Sequence, residues 1–380
     1  MILTQCAVCA TDLGLTLGKK CGRCATRYCG PECQVQHWKE GGHDKICKQI
    51  KKAGGAEQYN ANQKYAEAVT VAAEACAEDT KGQTCYICTQ AVHWKTKEGL
   101  VRMCACRGTS GFAHVSCLAE RAKILYAEAE ENNLAGKAVD QRWVRWHTCS
   151  LCEQQYHGVV FCALGWACWK TYLGRPETEQ VRHAAMQVLG SGLYAAKRHE
   201  DAMVVQEADL SMKRRVGESD HNILAAMSNL AATYAAVGDL EKAINMERGI
   251  YSGRLKLEGE DDPQTLIAAN NYTFSLTERK RFEEAKSLLR RTVPVARRVL
   301  GDSDEITLKM RWGYAEALCG DPNATLDDVR EAVTTLDETT RIARRVLGAS
   351  HPLLGITEPC LQEARRVLHV REARGAPQGS

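Results

Sequence analysis

The spacing of the cysteine and histidine residues constrains this chain more than any other feature. Nineteen cysteines occur among 380 residues, and most of them precede residue 153. Many stand in pairs separated by two residues, a spacing typical of metal ligands rather than of a disulfide framework. The N-terminal residues contain neither a basic segment nor an apolar run that would predict an export signal. We therefore expect thiolate ligation in a reducing compartment, with the protein intracellular, in the cytoplasm or the nucleus.

The first 50 residues contain eight candidate ligands, which is enough for two tetrahedral sites. Structural zinc takes four thiolate or imidazole ligands and leaves no open position. The segment has few apolar residues, so metal coordination has to supply much of its folding free energy. The candidate ligands are Cys6, Cys9, Cys21, Cys24, Cys29, Cys33, His43 and Cys47.

Residues 81–160 contain a second set of eight candidate ligands, so the chain is predicted to bind four zinc ions. This second set is Cys85, Cys88, Cys104, Cys106, His114, Cys117, Cys149 and Cys152. Of the remaining cysteines, Cys76, Cys319 and Cys360 are interpreted as small buried apolar residues, because a lone cysteine in a helical pattern usually packs in a core. For Cys162 and Cys168, which flank aromatic residues, packing is favoured over metal ligation.

The residues flanking the first ligand set resemble those of a MYND finger, namely Tyr28-Cys29, Cys33-Gln34 and His37-Trp38-Lys39. The resemblance implies interleaved ligation and a groove, lined by Gln34 and Trp38, that binds short proline-containing peptides. From the residues alone, packing of Trp38 on the finger's own helix is an equally good interpretation, and His37 is interpreted as a surface residue. The implied zinc sets are Cys6, Cys9, Cys29, Cys33 and Cys21, Cys24, His43, Cys47.

The second ligand set resembles a RING-CH (RING-variant) finger, through the segments Cys106-Arg107-Gly108-Thr109-Ser110-Gly111 and His114-Val115-Ser116-Cys117-Leu118. The resemblance implies ubiquitin ligase activity, in which the finger holds a ubiquitin-loaded conjugating enzyme in a reactive orientation. Ile87 and Leu118 occupy the positions that would contact this enzyme. The implied cross-brace sets are Cys85, Cys88, His114, Cys117 and Cys104, Cys106, Cys149, Cys152.

This second finger departs from the RING-CH pattern in three places. The gap between Cys117 and Cys149 is 31 residues long, and residues 119–132 within it predict an extended helix. Arg121 replaces the usual tryptophan, and Glu153 follows the last ligand where a cation is common. These departures keep a second interpretation open, in which the chain is a non-catalytic adaptor or scaffold.

From residue 174 onward, the chain repeats with a period near 42 residues. Glycines that suit helix C-terminal caps recur at Gly174, Gly217, Gly259, Gly301 and Gly348. Small residues recur where two helices would touch, at Ala202, Ala243, Ala285 and Ala332. Such a period with two helices per unit predicts a helical solenoid rather than an unrepeated bundle.

Residues 174–372 resemble tetratricopeptide repeats of the kinesin light chain type. We predict four helix pairs and a closing helix, with extra residues in the turn around residues 320–323. Pro294 falls within the second helix of the third pair and predicts a kink there.

The sequence thus predicts a multidomain chain with two small zinc-stabilised fingers followed by an all-α helical-repeat solenoid. The predicted segments are a MYND-type finger at 1–50, a helical linker at 51–80, a RING-CH-type finger at 81–160 and repeats at 174–372. The predicted function is that of a RING-type ubiquitin ligase with protein and peptide partners. The net charge of +3 is small for this length, so it gives no electrostatic reason to expect a nucleic-acid partner. The most apolar run, residues 159–169, is about half as long as a helix that crosses a bilayer, so we expect no membrane span.

Overall fold

The computed structural model describes residues 5–11, 13–14, 17–348 and 351–375. It divides into two compact units, Met1–Thr233 and Tyr234–Ser380. The first unit holds both cysteine-rich segments and the start of the helical repeat, and the second holds the rest of the repeat.

The N-terminal finger is built from a short hairpin and two helices around a very small core. Strand β1 (Lys19–Lys20) pairs antiparallel with β2 (Arg27–Tyr28), and α1 (Pro31–Lys39) and α2 (His43–Ala53) follow. Helix α2 buries His43, Cys47 and Ile50, which share one face at helical spacing. Half of the core consists of candidate ligands, since its members are Cys6, Leu13, Cys21, Cys24, Tyr28, Cys47, Ile50 and Ala56.

Helix α3 (Ala56–Ala75) occupies most of the predicted linker, but it does not lie free between the fingers. It packs along α6 (Gly158–Tyr172) and buries a stripe of small residues. The stripe repeats at helical spacing and consists of Ala61, Ala68, Val69 and Ala72. These residues belong to the same core as the second finger, so α3 is part of that finger's support.

The second finger contains two isolated β-bridges, one long helix and two short helical elements. Val101 bridges Ala113, and Thr148 bridges Gln155. Helix α4 (Val115–Glu131) contains the sixth ligand and extends into the long gap before the seventh, which also holds α5 (Lys137–Trp143) and a 3-10 turn (Val144–Trp146). An aromatic cluster closes this gap against α6, and its members are Tyr126, Trp143, Trp146 and Tyr172.

Helix α6 contains the most apolar run of the chain and is buried on nearly all of its faces. It packs against α3, α4 and α7 (Gln180–Ala195), which explains why its sequence is apolar all round. Across the part of the chain that the structure describes, we find no helix with the length and apolarity needed to cross a bilayer.

Two glycines allow α6 and α7 to approach closely. A Cβ atom built at Gly192 would lie 2.7 Å from the Phe161 carbonyl oxygen, and one at Gly165 would lie 3.0 Å from the Leu189 Cα. Both obstacles are backbone atoms, which cannot move aside as a flexible side chain can.

We expect Gly192→Ala to destabilise the first unit. The overpacking should cost about 2 kcal/mol, which outweighs a gain of about 1 kcal/mol in helix propensity. Urea denaturation followed by tryptophan fluorescence measures the effect. Gly313→Ala is the matched control, because its Cβ would meet only the Leu289 Cδ1 at 3.9 Å, so it should be neutral or stabilising. Equal effects of both substitutions would contradict the close approach.

The helical repeat follows the predicted order of helix pairs. After α7 come α8 (His199–Val216) and α9 (Asp220–Ala236). The second unit contains α10 (Leu240–Glu258), α11 (Pro263–Glu278), α12 (Phe282–Val299), α13 (Glu305–Gly320), α14 (Leu326–Leu347) and α15 (Pro352–Gly375). The fold class predicted from the sequence is confirmed.

The periodic small residues lie where the pattern placed them. Ala202, Ala243, Ala285 and Ala332 are all fully buried. Helix α12 is assigned as one helix across Pro294. The extra residues of the fourth pair lie in the α13–α14 turn, where the Asp321 carboxylate accepts a hydrogen bond of 2.7 Å from the buried Lys286 ammonium.

Candidate metal centres

Cysteine and histidine side chains gather into four groups of four among the described residues. Within each group, one potential ligand atom per residue lies within 4.8 Å of every other. The groups are Cys6, Cys9, Cys29, Cys33; Cys21, Cys24, His43, Cys47; Cys85, Cys88, His114, Cys117; and Cys104, Cys106, Cys149, Cys152. These are the same four sets that the two family resemblances implied.

The distances between sulfur atoms suit tetrahedral zinc. With zinc–sulfur bonds of about 2.3 Å, a regular tetrahedron separates its sulfur atoms by roughly 3.8 Å. The Sγ atoms of Cys9 and Cys29 lie 3.4 Å apart, and those of Cys21 and Cys47 lie 4.0 Å apart. Cys106 and Cys149 are separated by 3.7 Å. The donor sets therefore fit four zinc ions.

The two histidines face their groups through different ring nitrogens. His43 places Nε2 3.3 Å from the Cys24 Sγ. His114 places Nδ1 3.3 Å from the Cys88 Sγ and 3.7 Å from the Cys117 Sγ. Both rings are buried, so each ring has little freedom to rotate out of its site.

All four C-x2-C pairs adopt the same tight turn, which the sequence reasoning missed. In each turn, the first cysteine's N–H donates to the carbonyl five residues later and its C=O accepts from the N–H four residues later. The residue after each second cysteine has a positive φ of 55–63°, and these residues are Ala10, Ala25, Thr89 and Glu153. A left-handed conformation is unfavourable for residues other than glycine, and we infer that metal ligation offsets the strain.

The ionisation of the thiols also favours a bound cation. A hydrogen bond from the Thr11 hydroxyl lowers the pKa of Cys9 to about 6, whereas the pKa of Cys33 is raised to about 12 through its hydrogen bond with Cys29. Burial raises the pKa of Cys104 and of Cys117 well above the usual range. Four adjacent thiolates would repel one another without a cation between them.

In the first finger, Trp38 is partly exposed, whereas His37 is held by a hydrogen bond to a buried residue. The ring of Trp38 lies 5.8 Å from that of His43, yet 43% of the residue remains exposed. Gln34 lies one helical turn earlier on the same face of α1. His37, predicted to be a surface residue, has a side chain held in place by a 3.0 Å hydrogen bond between its Nδ1 and the hydroxyl of the buried Tyr28.

Around the second finger, only one of the two predicted contact residues offers much surface. Ile87 is 36% exposed, whereas Leu118 is 6% exposed and packs in the core. The sequence reasoning missed Leu151, which lies between Cys149 and Cys152 and is 51% exposed. Its position between two ligands, equivalent to that of Ile87, was the signal that could have identified it.

Three family models match the chain, in agreement with the resemblances recognised in the sequence. The MYND finger matches residues 6–47, and the RING-variant domain matches residues 85–135. The tetratricopeptide repeat matches residues 223–264 and 265–305. The RING-variant match ends before Cys149 and Cys152, and the fold brings these two residues to Cys104 and Cys106.

A comparison with solved structures gives matches of low sequence identity. Two are crystal structures of nearly identical TPR-like repeats from a Podosopora anserina protein assigned as a kinesin light chain. Each has 16% identity and covers 61% of this chain and 97% of its own, with TM-scores of 0.43 and 0.42. BtubC (BKLC) from P. vanneervenii has 10% identity, covers 70% of this chain and 93% of its own, and has a TM-score of 0.38. A comparison with curated proteins gives no match.

The MYND, RING-variant and repeat segments together make this chain a zinc-binding protein-interaction module. Its metal content is testable with a single-ligand variant. We expect Cys29→Ala to lower the zinc content from about four to about two ions, because the interleaved first finger has little other core.

Elemental analysis of the purified variant measures this loss. Cys360→Ala is the matched control, since Cys360 lies on α15 outside every ligand group and should leave the zinc content unchanged. Loss of all four ions from Cys29→Ala would show that the two fingers fold as one metal-dependent unit.

Proposed function

We propose that this chain is a RING-type ubiquitin ligase. In this proposal, the second finger recruits a ubiquitin-loaded conjugating enzyme, and the MYND finger and helical repeats bind substrate proteins. The observation that carries the proposal is a pair of exposed aliphatic side chains, Ile87 and Leu151, presented by two equivalent zinc-ligand turns.

These two turns are joined side by side. Tyr86, next to Ile87, and Ser150, next to Leu151, form a 3.2 Å hydrogen bond between their hydroxyl groups. The bond connects the two ligand loops, and in this proposal both aliphatic side chains contribute to one small surface. We call Ile87 and Leu151 the docking pair.

Arg121 changes the chemistry beside the docking pair. Its guanidinium donates a 3.1 Å hydrogen bond to the Ser150 hydroxyl, so a cation stands where the family usually has an indole ring. A conjugating enzyme that fits this surface would present an acceptor or an acidic side chain opposite Arg121. Glu153 forms an ion pair of 3.0 Å with Arg145 of its own chain.

The proposed reaction needs no nucleophile from this chain. When bound, zinc supplies the fold of the finger rather than any reacting atom. The chain's own contribution is to hold the conjugating enzyme and its thioester in one orientation, which raises the rate by reducing the entropy lost on reaching the transition state.

Substrate capture in the proposal uses α1 of the MYND finger. Gln34 supplies an amide, and the exposed part of Trp38 supplies an aromatic surface on which a proline ring could pack. Trp38 also contacts His43, so packing within the finger and a role in the groove are compatible.

An in-vitro autoubiquitination assay tests the proposal. The wild-type chain with ubiquitin, activating enzyme, ATP and a panel of conjugating enzymes should form ubiquitin conjugates with at least one of them. His114→Ala should abolish the activity, because it removes a ligand and opens a zinc site. A wild-type chain that is inactive with every conjugating enzyme tried would rule out ligase activity in favour of the adaptor.

The adaptor is the second candidate function, and specific observations favour it. Leu118 is buried rather than available for docking, and Arg121 replaces the aromatic residue beside the docking pair. In this alternative, the second finger is a structural support for α3, α4 and α6.

A further inference from the structure

Residues 93–98 form a fifth tight turn with the same hydrogen-bond pattern as the four C-x2-C turns, but without cysteines. His93 N–H donates to the Glu98 carbonyl at 3.0 Å, and Lys97 N–H donates to the His93 carbonyl at 2.9 Å. Lys97 has the left-handed φ of 60° found in the four cysteine turns. The His93 ring, rather than a metal, closes this turn. The His93 Nδ1 lies 3.1 Å from the Thr96 backbone nitrogen and 2.8 Å from the Thr96 hydroxyl oxygen.

This turn holds Trp94 in an exposed position. Trp94 is 68% exposed, although its backbone is fixed on both sides by the hydrogen bonds of the turn. A large aromatic ring on a well-ordered backbone loses little conformational entropy when it binds a partner. The exposure of Trp94 is therefore a feature of the fold rather than of a loosely held loop.

Trp94 stands at the edge of a groove formed by the 93–96 turn together with α3, α4 and α6. The groove has a volume of about 880 Å³. A chain of hydrogen bonds fixes its floor. The Tyr65 hydroxyl lies 3.0 Å from the Ser116 hydroxyl, and Glu98 accepts from the Ser116 N–H and hydroxyl at 2.7 and 2.9 Å.

A lysine without a close counter-ion lies in this groove. The Lys170 Nζ sits 3.6 Å from the centre of the Tyr65 ring. No carboxylate lies within ion-pair distance of it among the residues that the structure describes. Burial lowers the pKa of Lys170, and the nearby carboxylates of Glu98 and Glu120 oppose this shift only in part.

The rim of the groove adds further positive charge. Lys95 and Lys123 line it together with Lys170, and Glu120 is the acidic residue among the lining groups. Glu120 lies 3.4 Å from Lys123, and both side chains are largely exposed. With Glu98 on the floor counted as well, three lysines face two glutamates, so the groove carries a small positive charge.

We propose that this groove binds an acidic segment of a partner protein, with its carboxylates at Lys170, Lys95 and Lys123 and an apolar side chain against Trp94. The carboxylates complement the ammonium groups of Lys170 and Lys95, and they would share Lys123 with Glu120. The exposed indole provides the apolar contact that purely electrostatic binding would lack.

The groove is distinct from the docking pair and does not depend on ligase activity. Ser116, Ala119 and Lys123 lie on the groove face of α4. At 100° per residue, Arg121 lies about 150° away from them around the helix axis. An acidic partner and a conjugating enzyme can therefore bind on opposite faces of α4.

Fluorescence anisotropy of the full chain with labelled peptides tests the proposal. The probe is a fluorescein-labelled nonapeptide with a central leucine and four acidic residues on each side. Its basic counterpart and an oligothymidylate of equal charge serve as comparison probes. We expect the acidic peptide to bind the wild-type chain, and to bind more weakly as the salt concentration rises.

Two variants locate the binding. Lys170→Gln should weaken acidic-peptide binding roughly tenfold, because a charge-assisted contact is lost. Trp94→Ala should weaken it by a similar factor and should abolish any preference for leucine over glycine at the central position. Lys137→Gln is the matched control on exposed α5, and zinc content and circular dichroism verify that each variant is folded.

Several results would overturn the proposal. They are absence of acidic-peptide binding at millimolar concentration and low salt, equal binding of the basic peptide, or unchanged affinity in Lys170→Gln and Trp94→Ala. Tighter binding of the oligothymidylate than of the acidic peptide would assign the groove to nucleic acid and would also overturn it.

Discussion

Chelation of zinc is expected to unfold residues 17–55 completely and to leave the helices of the second unit folded. The first finger should be the most sensitive segment, because half of its small core consists of ligand cysteines. Structural zinc sites of this kind contribute on the order of 10 kcal/mol or more to folding. Few other contacts in the finger can replace that contribution.

The second finger should respond to chelation in a graded way. Its core continues from Cys85, Cys117 and Cys149 into α3, α6 and α7. These helices bury apolar residues against one another, so part of their packing survives when the ligand turns open. We expect faster amide exchange in α3, α4 and α6, with smaller changes in α7 and α8.

Hydrogen–deuterium exchange with mass spectrometry, with and without chelator, measures both effects. Amides in 21–47 should lose their protection, and those of α11 to α14 should keep it, because none of the four ligand groups lies in the second unit. Retained protection in 21–47 after zinc has been removed would contradict the metal-dependent core. Restoring zinc should restore the original exchange pattern.

Replacing Ile87 with alanine is expected to weaken binding of the conjugating enzyme about thirtyfold. The expectation rests on the proposed ligase function, and a single apolar anchor in a small interface is worth about 2 kcal/mol. Zinc content should not change, because it is the backbone N–H of Ile87, and not its side chain, that bonds to the Cys85 sulfur at 3.4 Å. Leu151→Ala should behave similarly, since Leu151 is the other member of the docking pair.

Surface plasmon resonance with an active conjugating enzyme measures the loss, and the autoubiquitination rate should fall in parallel. Val71→Ala is the matched control, because Val71 is an exposed aliphatic residue on α3 outside the finger. If the wild-type chain is active and Ile87→Ala binds as tightly as wild type, the docking surface lies elsewhere on the finger.

The sequence determined the candidate ligands and the helical repeat, and the resemblance to MYND and RING-CH fingers implied how the ligands divide into four groups. The C-x2-C spacing identifies pairs of ligands that can bind one metal, since the two thiols lie on a compact turn. The period near 42 residues located the helix pairs. Small residues recur with this period because only small side chains fit where two helices touch. Ala202, Ala243, Ala285 and Ala332 are buried for this reason.

Only the tertiary structure decided which surfaces remain exposed. The sequence favoured Leu118 as a contact residue, yet the fold buries it and exposes Leu151. The segment taken as a linker forms α3, which is held against α6 by contacts between residues about a hundred positions apart. The periodicity of apolar residues indicates which face of a helix is buried, but it does not indicate which other element packs on that face. The same reason explains why the groove beside Trp94 was not foreseen: its residues, from Tyr65 to Lys170, are brought together only by folding.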